Sequence, residues 1–359
     1  MILAALVASV AVKLAPMSEP YVVTDAKSLA RWEFYAAPTT TDWCLSAPYP
    51  PGKGQPGYGW PSRVEDYEVD ASLARRLAEY PGLEAHWFIR EPLDCDAAKS
   101  GRRDRSYSDS IPFLLFRPKA NRSRWWNPLS WFGSRKVPLV VYLPGCGEQG
   151  TDLAKQFRQV GVISRVLSRK FQEEHPAWLL VPMPPQNANC GIPSGYPAVP
   201  RAPLITLYDD LVLKVVEMSR AEDSAFPRID ERRIYLTGLG SGGTMVGAMS
   251  LDHPGRYAVT AAAWSRPYRQ PVLHPDAPGN WWFGFEYNTN VVLSAGEESF
   301  NRKFWGKFRG DVERFGGAFE LRNYSKGCRA WWWDTMWESD EFWKWCFRKK
   351  SNGEVEVKQ

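Results

Sequence analysis

Histidine is scarce in this chain, and its cysteines lack metal-binding spacing. The 359 residues include four histidines and six cysteines, and no two cysteines follow a C-x-x-C pattern. Because structural zinc sites normally show such spacing, we predict no metal ion and no cofactor. An even number of cysteines is compatible with disulfides outside the cytosol, and the pairing of the six stays open.

Concentrated charge and long apolar runs are also lacking. The 45 basic and 40 acidic residues are spread along the chain, and the net charge is +5. Dense basic runs occur only at residues 101–105 and 348–350. A nucleic-acid-binding protein concentrates its positive charge in a patch or stripe, so no nucleic-acid partner is expected.

An apolar run at the start of the chain, Ile2–Val12, is too short to span a bilayer as a helix. No transmembrane span is therefore predicted. The run resembles the hydrophobic region of a secretory signal followed by small residues, although no basic segment precedes it. Residues 1–15 are interpreted as a signal segment, and export to the periplasm or the extracellular space is expected. A cytoplasmic location stays open.

The rest of the chain divides into an extension, a large domain and a tail. We assign residues 16–107 to an N-terminal extension packed on the core, 108–350 to the main domain and 351–359 to a polar tail. Within the extension, Asp70 is predicted to cap a short helix that ends near Tyr80. Residues 38–62 are rich in proline, glycine and threonine, which is typical of an irregular segment.

Within the main domain, strand and helix patterns alternate. This alternation predicts an α/β fold with a mostly parallel, doubly wound sheet and helices on both faces. The predicted strands are Ile111–Phe116, Pro138–Leu143, Trp178–Val181, Arg233–Thr237, Tyr257–Ala263, Val291–Ser294 and Phe319–Tyr324. The predicted helices are Leu153–Phe171, Leu204–Arg220, Thr244–Leu251, Phe300–Phe315 and Ser339–Arg348.

A glycine-dense turn follows the strand at Arg233–Thr237. The frame Gly238-x-Gly240-x-Gly242 stands where hydrolases carry G-x-S-x-G, a motif that places a serine nucleophile on a sharp turn between strand and helix. Glycine tolerates the positive φ of such a turn, but it supplies no nucleophile. Ser241 lies one position later.

Four segments in order resemble the α/β-hydrolases related to polyhydroxybutyrate depolymerases, feruloyl esterases and peptidase-like esterases. Residues 138–152, 229–239, 294–301 and 324–331 resemble, respectively, the oxyanion loop, the approach to the nucleophile, the acid segment and the histidine loop. The resemblance covers about residues 108–348 and implies the α/β-hydrolase fold. It also places Gly145, Cys146, Gly147, Glu148 and Trp331 at the binding site.

The residues at the three catalytic positions depart from that family. The resemblance puts Gly240 at the nucleophile position, Ser299 at the acid position and Cys328 at the histidine position, and Pro144 replaces the family's oxyanion-loop histidine. A serine nucleophile requires a base, and the base requires an orienting partner. We therefore expect a degenerate relative of secreted ester hydrolases that retains a pocket for a small-molecule, glycan or ester ligand.

Two alternatives stay open. Ser241 is a fallback nucleophile for an active carboxylesterase or depolymerase, with His274 as a relocated base. The 18 tryptophans instead favour an interaction protein if many of them are exposed, because large exposed apolar patches mark contact surfaces. The oligomeric state stays undetermined by the sequence.

Overall fold

In a computed structural model of the protein, nine strands within the described residues form one mixed sheet. The structure describes residues 62–90, 110–119, 136–145, 148, 150–157, 161–183, 202–220, 226–253, 255–263, 279–285, 306–323 and 333–351. The strands are β1 (Ser62–Asp66), β2 (Leu83–Arg90), β3 (Ser110–Phe116), β4 (Val137–Leu143), β5 (Trp178–Pro182), β6 (Ile229–Leu239), β7 (Val259–Ala263), β8 (Trp281–Phe285) and β9 (Phe319–Asn323).

The sheet order is β1-β2-β3-β5-β4-β6-β7-β8-β9. From β5 to β9 every neighbouring pair is parallel, whereas β1, β2 and β3 pair antiparallel with one another and β3 pairs antiparallel with β5. The crossover between β5 and β4 leaves β4 and β6 side by side at the centre. Ligands of such sheets bind beyond the carboxyl ends of the parallel strands.

Helices cover both faces of this sheet. In chain order they are α1 (Ala71–Glu79), a 3-10 helix (Leu153–Phe157), α2 (Val162–Leu167), α3 (Arg169–Glu174), α4 (Ala202–Ser219), α5 (Ser241–Asp252), α6 (306–314), α7 (Trp333–Glu338) and α8 (Asp340–Phe347). Buried side chains of α4, α5 and α6 pack on one face, and those of α1, α2, α3 and α8 pack on the other. The predicted doubly wound architecture is confirmed.

Local sequence explains several of these elements. Every residue of β4 is buried, as expected for a continuous apolar strand covered on both faces. The predicted cap of α1 is confirmed, because the Asp70 side chain accepts a hydrogen bond from the backbone N–H of Leu73 at 2.7 Å. Ser339 caps α8 in the same way through the backbone N–H of Phe342.

The predicted single helix Leu153–Phe171 is wrong. The segment instead contains the 3-10 helix, α2 and the start of α3, and α2 begins only after Gly161. Ser168 separates α2 from α3, with an extended backbone (φ −62°, ψ 142°) and a hydroxyl that caps α3. A serine that bonds its own backbone neighbours competes with a continuous helix.

The strand β8, with the sequence Trp-Trp-Phe-Gly-Phe, is not among the strands that the sequence predicts. It pairs parallel with β7 and β9. The predicted strand Val291–Ser294 lies outside the described residues. Among the described helices, none is long and apolar enough to cross a membrane.

Six of the tryptophans are buried in the core. Trp281 packs edge-on against Phe308, and Trp282 contacts Trp345 with ring centroids 5.2 Å apart. The indole N–H of Trp337 donates to the Thr237 hydroxyl at 2.9 Å. The six residues, each at most 6% exposed, are Trp178, Trp281, Trp282, Trp337, Trp343 and Trp345.

Candidate functional site

The turn between β6 and α5 has an uncommon backbone conformation at one residue. Gly240 has φ 56° and ψ −115° and precedes the first residue of α5. Its N–H donates to the Ala263 carbonyl at 2.9 Å, and its carbonyl accepts from the N–H of Thr244 at 3.0 Å. The first hydrogen bond connects the turn to the end of β7, and the second is a hydrogen bond of the first turn of α5.

The two glycines that flank Gly240 are sterically required. A Cβ on Gly238 would lie 2.6 Å from backbone atoms of Gly242. A Cβ on Gly242 would lie 2.0 Å from the Leu143 carbonyl oxygen, at the end of β4. Both separations are far below van der Waals contact, so the turn can pack this closely only with glycine at each flank.

Gly240 differs from its flanking glycines. A Cβ built on it would have no atom of the described residues within 4 Å. Among the described residues there is thus room for a side chain at this position, although the positive φ would still cost energy for any residue with a Cβ. The frame therefore combines two glycines that close packing demands with a central position that has room for a side chain.

The loop after β4 lies beside this turn. Leu143 is paired with Gly238 across β4 and β6, and a Cβ on Gly145 would lie 3.3 Å from the Leu239 carbonyl oxygen. The N–H of Gly145 donates to Glu148 Oε2 at 2.9 Å, and the N–H of Glu148 returns to the Gly145 carbonyl at 3.2 Å. These reciprocal bonds close a tight turn, and the Glu148 side chain is fully buried within it.

A residue that the sequence did not single out supports this loop. Gln156, which is 0% exposed in the 3-10 helix, donates its side-chain amide to the Glu148 carbonyl at 3.0 Å. The spacing of residues along the sequence does not predict such a contact, because a glutamine side-chain amide can donate to any carbonyl that the fold places near it.

Only part of the predicted site can be located. Gly240, Gly145 and Glu148 come together at the ends of β4 and β6, and Ser241 begins α5 directly beyond the turn. The other predicted site residues lie outside the described residues: Cys146, Gly147, Ser299, Cys328, Trp331 and the fallback base His274. Their convergence on Gly240 stays a prediction.

The three described histidines lie far from Gly240. The 12-residue helix α5 separates Gly240 from His253 by about 18 Å along its axis. His175 ends α3 and precedes β5, so it lies toward the amino end of that strand, whereas Gly240 follows the carboxyl end of the parallel strand β6. His86 is on β2, four strands from β6 and hence about 19 Å away laterally. None of the three can act as the base at this turn.

A buried charge cluster joins α4 to the segment after α5. Asp209 accepts hydrogen bonds from Arg256 and from the Tyr257 hydroxyl, and His253 Nε2 lies 3.4 Å from it. Burial alone would raise the pKa of Asp209, but the charges of His253 and Arg256 and these hydrogen bonds outweigh it, so the pKa is lowered. The cluster is on the face of the sheet covered by α4 and α5.

A second carboxylate in the cluster behaves differently. Asp210 Oδ2 lies 3.4 Å from Arg90 Nη1 at the end of β2. Burial raises the pKa of Asp210 to about 7, against the opposing effect of the Arg90 charge. Within the described part of the chain, no three His, Cys, Asp or Glu side chains are grouped so that they could hold a metal ion.

Comparison with solved structures identifies proteins with a similar architecture. The chain is similar to the crystal structure of a thermostable esterase at 26% identity with a TM-score of 0.50, over 69% of this chain and 61% of that one. A siderophore hydrolase from Aspergillus nidulans (12% identity, TM-score 0.43, 73% and 94% coverage) and a ferulic acid esterase (14%, 0.40, 66% and 93%) are more distant. No family model and no curated protein sequence matches the chain.

The strand order, the helices on both faces and the likeness to the thermostable esterase show that the chain has the α/β-hydrolase fold. Within that fold, the solved structures it resembles are esterases and related hydrolases. The predicted fold class is thereby confirmed. The chain spans less than two thirds of the thermostable esterase that it matches.

Proposed function

We propose that this protein is a degenerate relative of carboxyl-ester hydrolases that binds a glycan-type or ester-type ligand without cleaving it. The observation that carries the proposal is the backbone of Gly240, which has the positive φ of a nucleophile turn, no atom of the described residues within 4 Å of the place where a Cβ would stand, and no side chain. A turn with this geometry holds a position for a reacting group. Glycine leaves that position empty.

The distribution of histidines supports the same conclusion. A serine nucleophile is activated by a base within hydrogen-bond reach. The described histidines lie roughly 18 Å or more from Gly240, or before the amino end of a strand whose parallel neighbours end at the turn. The resemblance puts Cys328 where the family's base stands. A pocket that has lost both nucleophile and base can still bind an ester or sugar oxygen through backbone N–H groups.

The alternative of an active esterase requires Ser241 and His274. Ser241 is helical at the first position of α5 and is not the turn residue with positive φ, so its geometry differs from that of an elbow serine. The alternative of a tryptophan-rich docking protein loses support from the six tryptophans that are buried in the core. We retain export from the cytosol as part of the proposal on the strength of the apolar run Ile2–Val12.

Two assays test the proposal directly. Purified protein is incubated with short p-nitrophenyl esters and, separately, with a fluorophosphonate probe for activated serines. We expect no turnover and no labelling. Ester turnover that disappears in Ser241→Ala would overturn the proposal and establish the esterase alternative. A glycan array with the wild-type protein then identifies the ligand class, and its matched control is Gly240→Trp, which fills the open space.

A restoration experiment tests the assigned positions. The triple variant Gly240→Ser, Ser299→Asp, Cys328→His rebuilds all three roles, and Gly240→Ser alone is its control. Measurable ester hydrolysis in the triple variant but not in the single one is the expected outcome. A triple variant that folds, as judged by circular dichroism, but is inactive and unlabelled by the fluorophosphonate would contradict the assignment of Ser299 and Cys328.

A further inference from the structure

The N-terminal extension contacts the segment that follows the candidate oxyanion loop. Leu73 of α1 is 1% exposed and packs in the same cluster as Leu153 and Ala154 of the 3-10 helix. Tyr80, at the end of α1, stacks on Phe157 with ring centroids 5.8 Å apart and planes 12° from parallel. The 3-10 helix is therefore held from outside by the extension as well as by the sheet beneath it.

Tyr67 makes a second contact just before the 3-10 helix. Its hydroxyl donates to the Thr151 carbonyl, and its ring stacks on Trp87 of β2 at 5.6 Å. Burial raises the pKa of this hydroxyl, so it stays protonated and keeps donating. One residue further on, the Asp152 carboxylate accepts from the N–H of Ala154 at 3.0 Å and caps the 3-10 helix.

From this helix the contacts lead back to the turn at Gly240. Gln156 bonds the Glu148 carbonyl, and Glu148 bonds both the N–H and the carbonyl of Gly145. Gly145 in turn lies against the Leu239 carbonyl, one residue before Gly240. Each contact is between buried or half-buried groups, where hydrogen bonds are little weakened by competing water.

We propose that the extension residues Tyr67, Leu73 and Tyr80, acting through Gln156, are positioning residues that hold Glu148 and Gly145 of the loop after β4 beside the turn at Gly240. None of them touches that position itself. The inference rests on the pocket invoked in the proposed function, but it holds whether or not the protein hydrolyses esters. Loss of any one contact in this series, from the extension through Gln156 to Glu148 and Gly145, should displace the loop while leaving the central strands intact.

An introduced thiol reports on the position of the loop. In a Gly240→Cys background, the rate of alkylation by iodoacetamide is measured against pH, and the modified peptide is identified by mass spectrometry so that the six native cysteines do not interfere. Backbone N–H groups close to a thiolate lower its pKa. A displaced loop should therefore raise the pKa of the introduced thiol.

Two matched variants are added to this background. Gln156→Met removes the amide that bonds the Glu148 carbonyl. Gln172→Met removes a comparable amide that donates to the Val166 and Ala177 carbonyls at 2.9 and 3.1 Å, away from the loop. We expect Gln156→Met to raise the thiol pKa by about half a unit or more, a size typical of losing one or two hydrogen bonds to a thiolate, and Gln172→Met to leave it unchanged.

Tyr67→Phe guards against the failure of Gln156→Met to fold, because it removes only a hydroxyl near the surface and keeps the ring on Trp87. It should raise the thiol pKa in the same direction by a smaller amount. An unchanged thiol pKa in Tyr67→Phe and in folded Gln156→Met, or an equal rise in Gln172→Met, would overturn the inference. Ester turnover by the wild-type protein would overturn the proposed function alone.

Discussion

The backbone of Gly242 lies against the end of β4 so closely that a Cβ atom on it would stand 2.0 Å from the carbonyl oxygen of Leu143. The first turn of α5 and the central strand β4 are thus in direct backbone contact. This contact fixes where the helix begins relative to the sheet, and with it the orientation of the turn at Gly240.

Gly242→Ala should therefore be strongly destabilising. The added methyl group meets backbone atoms that cannot rotate away, and overpacking of this kind costs about 1–3 kcal/mol or more. Gly247→Ala, in the middle of the same helix, has no atom within 4 Å of the new methyl group and should stabilise the protein by roughly 0.5–1 kcal/mol. Urea unfolding of both variants measures the difference, and equal stabilities would contradict the close contact.

Gly240→Ala should have an intermediate effect for a different reason. Its methyl group meets no atom of the described residues within 4 Å, so the cost is that of holding a residue with a Cβ at φ 56° and ψ −115°, about 1–3 kcal/mol. This ψ lies outside the left-handed helical region in which asparagine is tolerated, so Gly240→Asn should be destabilised as much as Gly240→Ala. Urea unfolding measures both variants, and a Gly240→Asn variant as stable as the wild type would show that the turn does not have this conformation.

Asp210 should make the stability depend on pH between about 4 and 7. Its pKa is raised by burial from an ordinary 3.8 to about 7 in the folded protein, so in this range the folded state binds more protons than the unfolded one. Its contribution to the free energy of unfolding therefore falls as the pH rises through the range. Asp210→Asn removes this contribution but keeps an acceptor for Arg90.

The stability difference between wild type and Asp210→Asn is measured by urea unfolding from pH 4 to pH 7.5. The wild type should lose stability relative to the variant as the pH rises. Asp230→Asn, measured also at pH values below about 4, is the control of opposite sign. Burial acts to raise the pKa of Asp230, but the hydrogen bonds from Arg233 and the Arg232 N–H lower it. Its stabilising contribution is present above about pH 4 and is lost on acidification.

Trp337 and Thr237 should be energetically coupled. The indole N–H donates to the Thr237 hydroxyl at 2.9 Å in a buried environment, and Thr237→Val would leave that donor without this acceptor at a cost of about 1–3 kcal/mol. In a double-mutant cycle with Trp337→Phe, the coupling energy should be about 0.5–1.5 kcal/mol. A coupling energy near zero would mean that the hydrogen bond contributes nothing to stability.

The strands that the sequence predicts correctly include three continuous apolar runs. The strands β3, β4 and β5 are such runs and are buried on both faces, and their short length and their β-branched and aromatic residues, rather than an alternating period, distinguish them from buried helices. The strand β8 is not predicted, because Trp-Trp-Phe-Gly-Phe places a glycine inside the run and glycine is depleted in strands. The division of residues 153–171 depends on the side-chain bond of Ser168, which periodicity does not report.

For the site, the glycine frame is informative because two backbone segments that approach each other closely require glycine at the contact. The sequence predicts the turn at Gly240. A Cβ atom on Gly238 or Gly242 would clash with nearby backbone atoms, and this explains why both positions are glycine. The bond from Gln156 to the Glu148 carbonyl was not predictable, because any residue with a carbonyl can accept it. Such contacts depend on the assembled fold, and no sequence motif predicts them.

The antiparallel pair of strands β1 and β2 has a consequence for how the protein can be divided. These strands extend the same sheet as the core, and β1, with its mostly exposed Ser-Arg-Val-Glu-Asp sequence, covers the edge of β2. A truncated chain that begins near residue 108 would leave β3, with five of its seven residues buried, as a bare apolar edge. Edges of that kind pair with other copies and aggregate, so the hydrolase-like region is expected to be recovered in soluble form only together with residues 62–90.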